Sequence, residues 1–188
     1  MTFSELFIFC SKRLRSPFFA CFSLSVLFTG CQQAATVTQS AETATEAVGK
    51  TAFITPRKSP NDRRDYRYLT LDNQLKVLLV SDPETDKSAA ALSVYRGSFH
   101  EPDSRPGLAH FLEHMLFIGT GKYPEVDSFQ QFITANGGSS NAYTALDHTN
   151  YFFDIDADYL IPALDRFSQQ FVSPLFNEEY VEREVNAV

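Results

Sequence analysis

Hydrophobic positions change their period several times along this chain. Residues 17–30 read PFFACFSLSVLFTG, fourteen apolar or small residues in a row. Spanning a bilayer as a helix takes about 20 residues, so this run fits the core of an export leader better. Residues 32–50 then lose the pattern: sixteen of nineteen are Ala, Thr, Gln, Ser, Glu or Gly. Such a stretch buries too little apolar surface to fold and reads as a tether. The folded part is expected from residue 63. Residues 66–71 and 75–80 alternate or run apolar around Asp72-Asn73-Gln74, which predicts a β-hairpin. Residues 89–95 are small and apolar, as in a buried strand. Across 103–118, Leu108, Phe111, Leu112, Met115 and Leu116 fall at i, i+3, i+4, i+7 and i+8. That spacing predicts a helix anchored by an apolar stripe, capped by Asp103 or Ser104 and stopped by Gly119. A second helix is expected over 126–135, paired strands over 141–144 and 150–155, and a third helix over 159–171. A fourth helix should start at Asn177 and run to the last residue. Strands lie next to strands in the sequence, which argues α+β with a mainly antiparallel sheet packed with helices.

The leader adds an address. Lys12, Arg13 and Arg15 precede the apolar run, and the run ends in Leu27-Phe28-Thr29-Gly30-Cys31. This resembles a bacterial lipobox. The resemblance implies cleavage before Cys31, lipidation of Cys31, and a membrane anchor on the periplasmic side of the inner or outer membrane. An ordinary signal peptide with a chance cysteine is the plainer alternative. The expected organisation is therefore a leader over 1–30, a tether over 31–62 and a folded part over 63–188. The apolar stretch 3–10, ahead of the basic cluster, has no role in this scheme.

Composition narrows the function classes. At 44% hydrophobic and 21% charged over 188 residues, the chain is globular. Its net charge of −7 comes with no Lys/Arg-rich block, so nucleic acid is not an expected partner. Removing 1–30 leaves 13 basic and 22 acidic residues, a net charge of −9. Cys10 and Cys21 would leave with the leader and Cys31 would carry lipid. The remainder would hold neither thiol nor disulfide and must stand on packing.

The candidate chemistry lies in His110-Phe111-Leu112-Glu113-His114. His110 and His114 are one turn apart, so both imidazoles leave the same helix face. Two neutral imidazoles at that spacing can hold one Zn²⁺ at about 2.0–2.1 Å each. Glu113 stands beside them, where a carboxylate can take a proton from a water that the metal acidifies toward a pKa of about 7. With 4 His and 11 Glu in the chain, this five-residue pattern is expected by chance only about 0.005 times.

H-x-x-E-H is the inverzincin signature. Here the chain resembles the pitrilysin and insulin-degrading enzyme family of zinc metallopeptidases. The likeness runs from about Tyr66 to Val188. It includes Gly97-Ser98 and Pro106-Gly107-Leu108-Ala109-His110, then Gly138-Ser139-Ser140-Asn141-Ala142-Tyr143-Thr144, His148-Thr149-Asn150-Tyr151, and Arg183-Glu184-Val185-Asn186-Ala187-Val188. The resemblance implies the incomplete first domain of a long peptidase whose halves close around a chamber. It implies His110 and His114 as zinc ligands, Glu113 as general base, and Glu184 as the acidic residue that orients the ligands. Asn141, Ala142, Tyr143 and Thr144 match the family's edge strand, where a peptide substrate adds as a further strand. His100 and His148 read as structural.

One family feature is missing. The third zinc ligand in the family is a Glu seven residues after the position of Glu184, about 10.5 Å along the same helix. That position lies past Val188. Three readings therefore stay open: the N-terminal piece of a zinc metalloendopeptidase, a catalytically inactive lipid-anchored peptide-binding remnant, or a subunit completed by a complementary chain.

Overall fold

A computed structural model describes residues 4–10 and 56–188. Cys31, the basic cluster and most of the tether lie outside the described residues. The elements are β1 (Ser4–Cys10), β2 (Asp65–Thr70), β3 (Lys76–Ser81), β4 (Lys87–Val94), α1 (Leu108–Met115), α2 (Ser128–Ala135), β5 (Ser139–Thr144), β6 (Thr149–Asp156), α3 (Leu160–Val172) and α4 (Val181–Val185). They form an α+β fold around one six-stranded sheet of order β2-β3-β1-β4-β6-β5.

The hairpin predicted around residues 72–74 pairs β2 with β3 antiparallel, Thr70 opposite Lys76. Gln74 turns with φ 69°. The Asn73 side chain accepts the Leu75 N–H at 3.1 Å, and Leu71 N–H donates to Leu75 C=O at 2.8 Å, which closes the turn. Contacts begin just ahead of β2. Asp62 accepts the Tyr66 hydroxyl at 2.8 Å and pairs with Arg64.

The apolar stretch without a sequence-based role is a strand. β1 lies between β3 and β4, parallel to β3 and antiparallel to β4. It is the exception in an otherwise antiparallel sheet. β3 and β4 run in opposite directions with only residues 82–86 between them, a connection short enough for a hairpin. The inserted strand keeps them from pairing with each other.

β6 shows the cleanest period of two. Thr149, Tyr151, Phe153 and Ile155 are buried, while Phe152 is more than a third exposed. The buried face meets the helices. Ala90, Leu116, Phe129, Ile133, Tyr151, Phe153, Ile155, Leu160, Ala163 and Phe167 form one core cluster. Its rings meet edge to face, Phe129 with Phe153 at 5.8 Å and Phe153 with Phe167 at 5.2 Å. Ser88 and Ala90 in β4 are small and fully covered.

Helix α1 is shorter than its pattern suggests. Residues 103–107 are turns, and the helix starts at Leu108 after Gly107 at φ 88°. Only the C-terminal end of the expected stripe is deep: Met115 and Leu116 are buried, whereas Leu108 and Leu112 are 42% and 44% exposed. The reason is position. Leu108, Ala109 and Leu112 instead line an open pocket shared with Val94, Thr149 and Tyr151 of the sheet, which leaves them part-solvated. The fourth helix also differs, as a 3₁₀ turn over Glu178–Tyr180 leads into α4. The Asn177 side chain accepts the Glu179 N–H at 3.3 Å, as its capping role required.

Candidate active site

Three elements build the site: α1, the end of β5, and α4. The first turn of α1 has no cap of its own, since Gly107 has no side chain to offer. Glu101 supplies one from the preceding loop. Its two carboxylate oxygens accept the N–H groups of Gly107 and Ala109, each at 2.8 Å. A carboxylate at the positive end of a helix is favourably placed. Sequence reading missed Glu101, because its partners are backbone groups six and eight residues away.

From this anchored helix, His110 and His114 project together. Their Nε2 atoms are 3.2 Å apart and the rings meet edge to face at 4.7 Å. His110 is exposed and His114 is part-buried. Beneath them Glu113 is buried, at 6% exposure. Its Oε2 accepts a hydrogen bond from Thr144 Oγ1 at 2.5 Å. The sequence therefore places the three motif residues correctly on one helix, but with unequal depth.

Glu184 reaches the same cluster from α4. Its Oε2 lies 2.8 Å from His114 Nδ1, and its Oε1 accepts from Arg183 Nε at 2.8 Å. Burial raises the Glu184 carboxyl, but the hydrogen bonds from His114 and Arg183 outweigh it and hold it below its ordinary value. As a carboxylate, Glu184 takes the His114 Nδ1–H. That bond fixes the tautomer and leaves the His114 Nε2 lone pair facing His110. Both carboxylate oxygens of Glu184 are thus engaged, one by His114 and one by Arg183.

This arrangement fits a zinc ion. Two imidazole nitrogens bound tetrahedrally at about 2.0–2.1 Å from one zinc stand about 3.3 Å apart. Two lone-pair nitrogens facing each other at 3.2 Å need a proton or a cation between them. The set is incomplete, however. Among the described residues no group of three or more His, Cys, Asp or Glu side chains could hold a metal ion.

The segment 141–144 lies in β5, at the edge of the sheet. Its register opposite β6 pairs Asn141 with Phe152, Ala142 with Tyr151, Tyr143 with Asn150 and Thr144 with Thr149. Ala142 and Thr144 thus share the helix-covered face, and Asn141 and Tyr143 the open one. The Ala142 N–H is met by the side-chain oxygen of Asn141 at 2.9 Å. It is therefore not committed to the β6 ladder.

The remaining histidines have local partners. His100 Nδ1 accepts the Gly97 N–H at 3.2 Å, and its ring meets Tyr95 at 5.2 Å. His148 lies between Asp147 at 2.7 Å and the Tyr143 hydroxyl at 3.3 Å. Gly97 allows the loop after β4 to lie against the β5–β6 turn. A Cβ there would stand 2.3 Å from the Ala145 carbonyl oxygen. Tyr151 runs beneath the site; burial first, and the Glu113 charge second, push its phenol up.

The sequence pattern of Insulinase (Peptidase family M16) matches residues 76–188. The chain belongs to this family. Human insulin-degrading enzyme is 56% identical over 131 residues, which cover 70% of this chain and 13% of that protein. The A-factor-processing enzyme of Saccharomyces cerevisiae is 50% identical over 127 residues, 68% of this chain and 12% of that one. A Schizosaccharomyces pombe relative whose name includes the words zinc protease is 52% identical over 130 residues, 69% and 13%. The crystal structure of pitrilysin superposes with a TM-score of 0.69 at 44% identity, covering 73% of this chain and 15% of that one. The M16 chain described here thus spans between about an eighth and a sixth of these relatives' lengths. Membership in a peptidase family and the pitrilysin-like α+β fold agree with the sequence-based expectation.

Proposed function

We infer that this chain carries part of the catalytic centre of a zinc metalloendopeptidase. The observation that carries the reading is the 3.2 Å approach of the two Nε2 atoms, with Glu113 buried between their helix and β5. His110 and His114 would hold the ion, and Glu184 would keep His114 in its binding tautomer. Bound zinc supplies Lewis acidity toward the scissile carbonyl and toward the attacking water. Glu113 takes the proton of that water and returns it to the leaving amine. An extended peptide lies along the free edge of β5, where backbone pairing favours unstructured segments with little sequence selectivity. Asn141, Ala142, Tyr143 and Thr144 form that edge.

The third ligand and the chamber come from polypeptide outside these residues, either a continuation past Val188 or a complementary chain. The short span relative to the M16 relatives supports this. The lipobox-like Leu27–Cys31 supports an exported, membrane-anchored protein on the periplasmic side. The incomplete ligand set favours a second reading, a peptide-binding module without turnover.

Zinc titration of the 188-residue chain, beside a peptide-cleavage assay with and without the completing polypeptide, separates the two. The peptidase reading expects weak zinc binding that is lost in His110→Ala, and cleavage only in the completed protein. No cleavage in the completed protein would leave the binding-module reading standing.

A further inference from the structure

Glu113 does not stand free beside the histidines. Thr144 Oγ1 is 2.5 Å from Glu113 Oε2, 2.9 Å separates Thr149 Oγ1 from the Arg96 carbonyl oxygen, and the two threonine oxygens are 3.3 Å apart. The ends of this chain settle its directions. A carboxylate and a backbone carbonyl only accept, so Thr144 donates to Glu113 and Thr149 donates to Arg96. Each hydroxyl has one proton and each is committed outward. The 3.3 Å contact between the two hydroxyl oxygens then carries no proton of its own, and the short 2.5 Å contact marks Glu113 as the acceptor that Thr144 takes.

The donor sits on a platform outside α1, held by its own backbone hydrogen bonds. Thr144 and Thr149 face each other in the last register pair of β5 and β6. The turn beyond them is closed by Ala145 N–H to His148 C=O at 2.8 Å. The loop after β4 docks onto it through Ser98 N–H to Ala145 C=O at 3.1 Å and Phe99 N–H to Leu146 C=O at 2.8 Å. Thr149 itself is buried at 4% exposure. Thr144 is β-branched, which restricts the torsion that aims its hydroxyl.

From these observations, and resting on the peptidase reading above, we propose that Thr144 is a positioning residue for Glu113. Its hydroxyl occupies Oε2 and fixes the carboxylate plane, so that Oε1 alone is presented to the attacking water. A general base works only within hydrogen-bond reach of the proton it takes, so aim matters as much as basicity. A buried carboxylate without this donor swings toward whatever polar group it can find. The role differs from that of a substrate-strand residue, which acts through its backbone and needs no hydroxyl.

The test compares Thr144→Val, which keeps shape and branching, with Thr144→Ser, which keeps the hydroxyl. In the metal-free 188-residue chain, NMR of the Glu113 side chain should show one rotamer in the native and Ser proteins. The Val protein should stay folded, at a melting temperature a few degrees lower, and show averaging among several rotamers. In the completed peptidase, Thr144→Val should lower kcat about 10- to 100-fold at unchanged KM and zinc content, with Thr144→Ser within about threefold of native. A single Glu113 rotamer in Thr144→Val overturns the proposal. So does a kcat within about threefold of native in Thr144→Val, which would leave Thr144 a substrate-strand residue acting through its backbone alone. Glu113→Gln is run in parallel. Full activity there would remove the base assignment and the positioning role with it, whereas no cleavage by the native completed protein would remove the peptidase reading.

Discussion

His114 Nδ1 lies 2.8 Å from Glu184 Oε2, although the two residues are 70 positions apart in the chain. The contact joins α1 to α4 and selects which nitrogen of His114 is free. Carboxylates that orient metal-bound histidines typically contribute 10- to 100-fold in affinity. Glu184→Gln should therefore weaken zinc binding by about 10- to 100-fold in a competition titration. Unchanged affinity would reduce the contact to a packing feature.

The two histidines should be separable from the base. In the completed protein, His110→Ala should abolish stoichiometric zinc, measured by elemental analysis after dialysis, with little change in melting temperature because His110 is exposed. Glu113→Gln should retain zinc while peptide hydrolysis by the completed protein falls about 10²- to 10⁴-fold. Loss of zinc in Glu113→Gln would mean that Glu113 belongs to the ligand set.

The free edge of β5 predicts how peptides bind. Ala142→Pro removes a backbone donor in the middle of this strand, one that bonds the neighbouring Asn141 side chain. Affinity for an unstructured peptide should drop at least about tenfold, read by fluorescence anisotropy. Methylating alternate backbone nitrogens of the peptide should do the same, while changing its side chains should matter less. Binding that is insensitive to both would place the peptide elsewhere.

β1 supplies both the inner edge partner of β3 and that of β4. A chain beginning at Cys31 lacks it, as leader processing would also leave it. Hydrogen exchange should then quicken across Lys76–Ser81 and Lys87–Val94, and the melting temperature should fall. Equal protection with and without 1–30 would show that the strand is dispensable.

Acid sensitivity should trace in part to Asp165. Lys122 Nζ lies 2.6 Å from its Oδ2, and the Tyr123 hydroxyl donates to the same oxygen. The Lys122 bond first, then that of Tyr123, holds the carboxyl below its ordinary value. A carboxyl lowered in the folded state favours folding above its unfolded pKa of about 3.9, and that contribution fades as pH falls below it. Asp165→Asn should melt lower than native at pH 7, and the two should converge near pH 2. Parallel curves across that range would rule the pair out as an acid-sensitive contact.

Much of the fold was legible because its signals are short-range. The turn at Asp72-Asn73-Gln74 is closed by an Asn73 side chain two residues from its partner. β6 declares its buried face by alternation, and α3 by its apolar period. Where reading failed, a distant group had changed the outcome. Helix α1 begins five residues later than its pattern suggests, because Gly107 turns with φ 88° and the cap comes from Glu101. Leu108 and Leu112 share the apolar stripe but escape the core, since they line an open pocket beside Val94, Thr149 and Tyr151. The segment 3–10 looked like surplus to a leader, and strand pairing depends on partners that its own sequence does not name.

The same division holds at the site. The i, i+4 spacing of His110 and His114, with Glu113 between them, is a property of any α-helix with that sequence. Helical geometry alone brings the pair to one face. Their tautomer, the aim of the base and the edge position of β5 are not local properties. They arise from Glu184, Thr144 and the strand order, which lie tens of residues away and meet α1 only when the sheet and helices have packed. A linear pattern can specify which groups share a helix face. Which lone pair is free and which oxygen is exposed depends on neighbours brought close by burial.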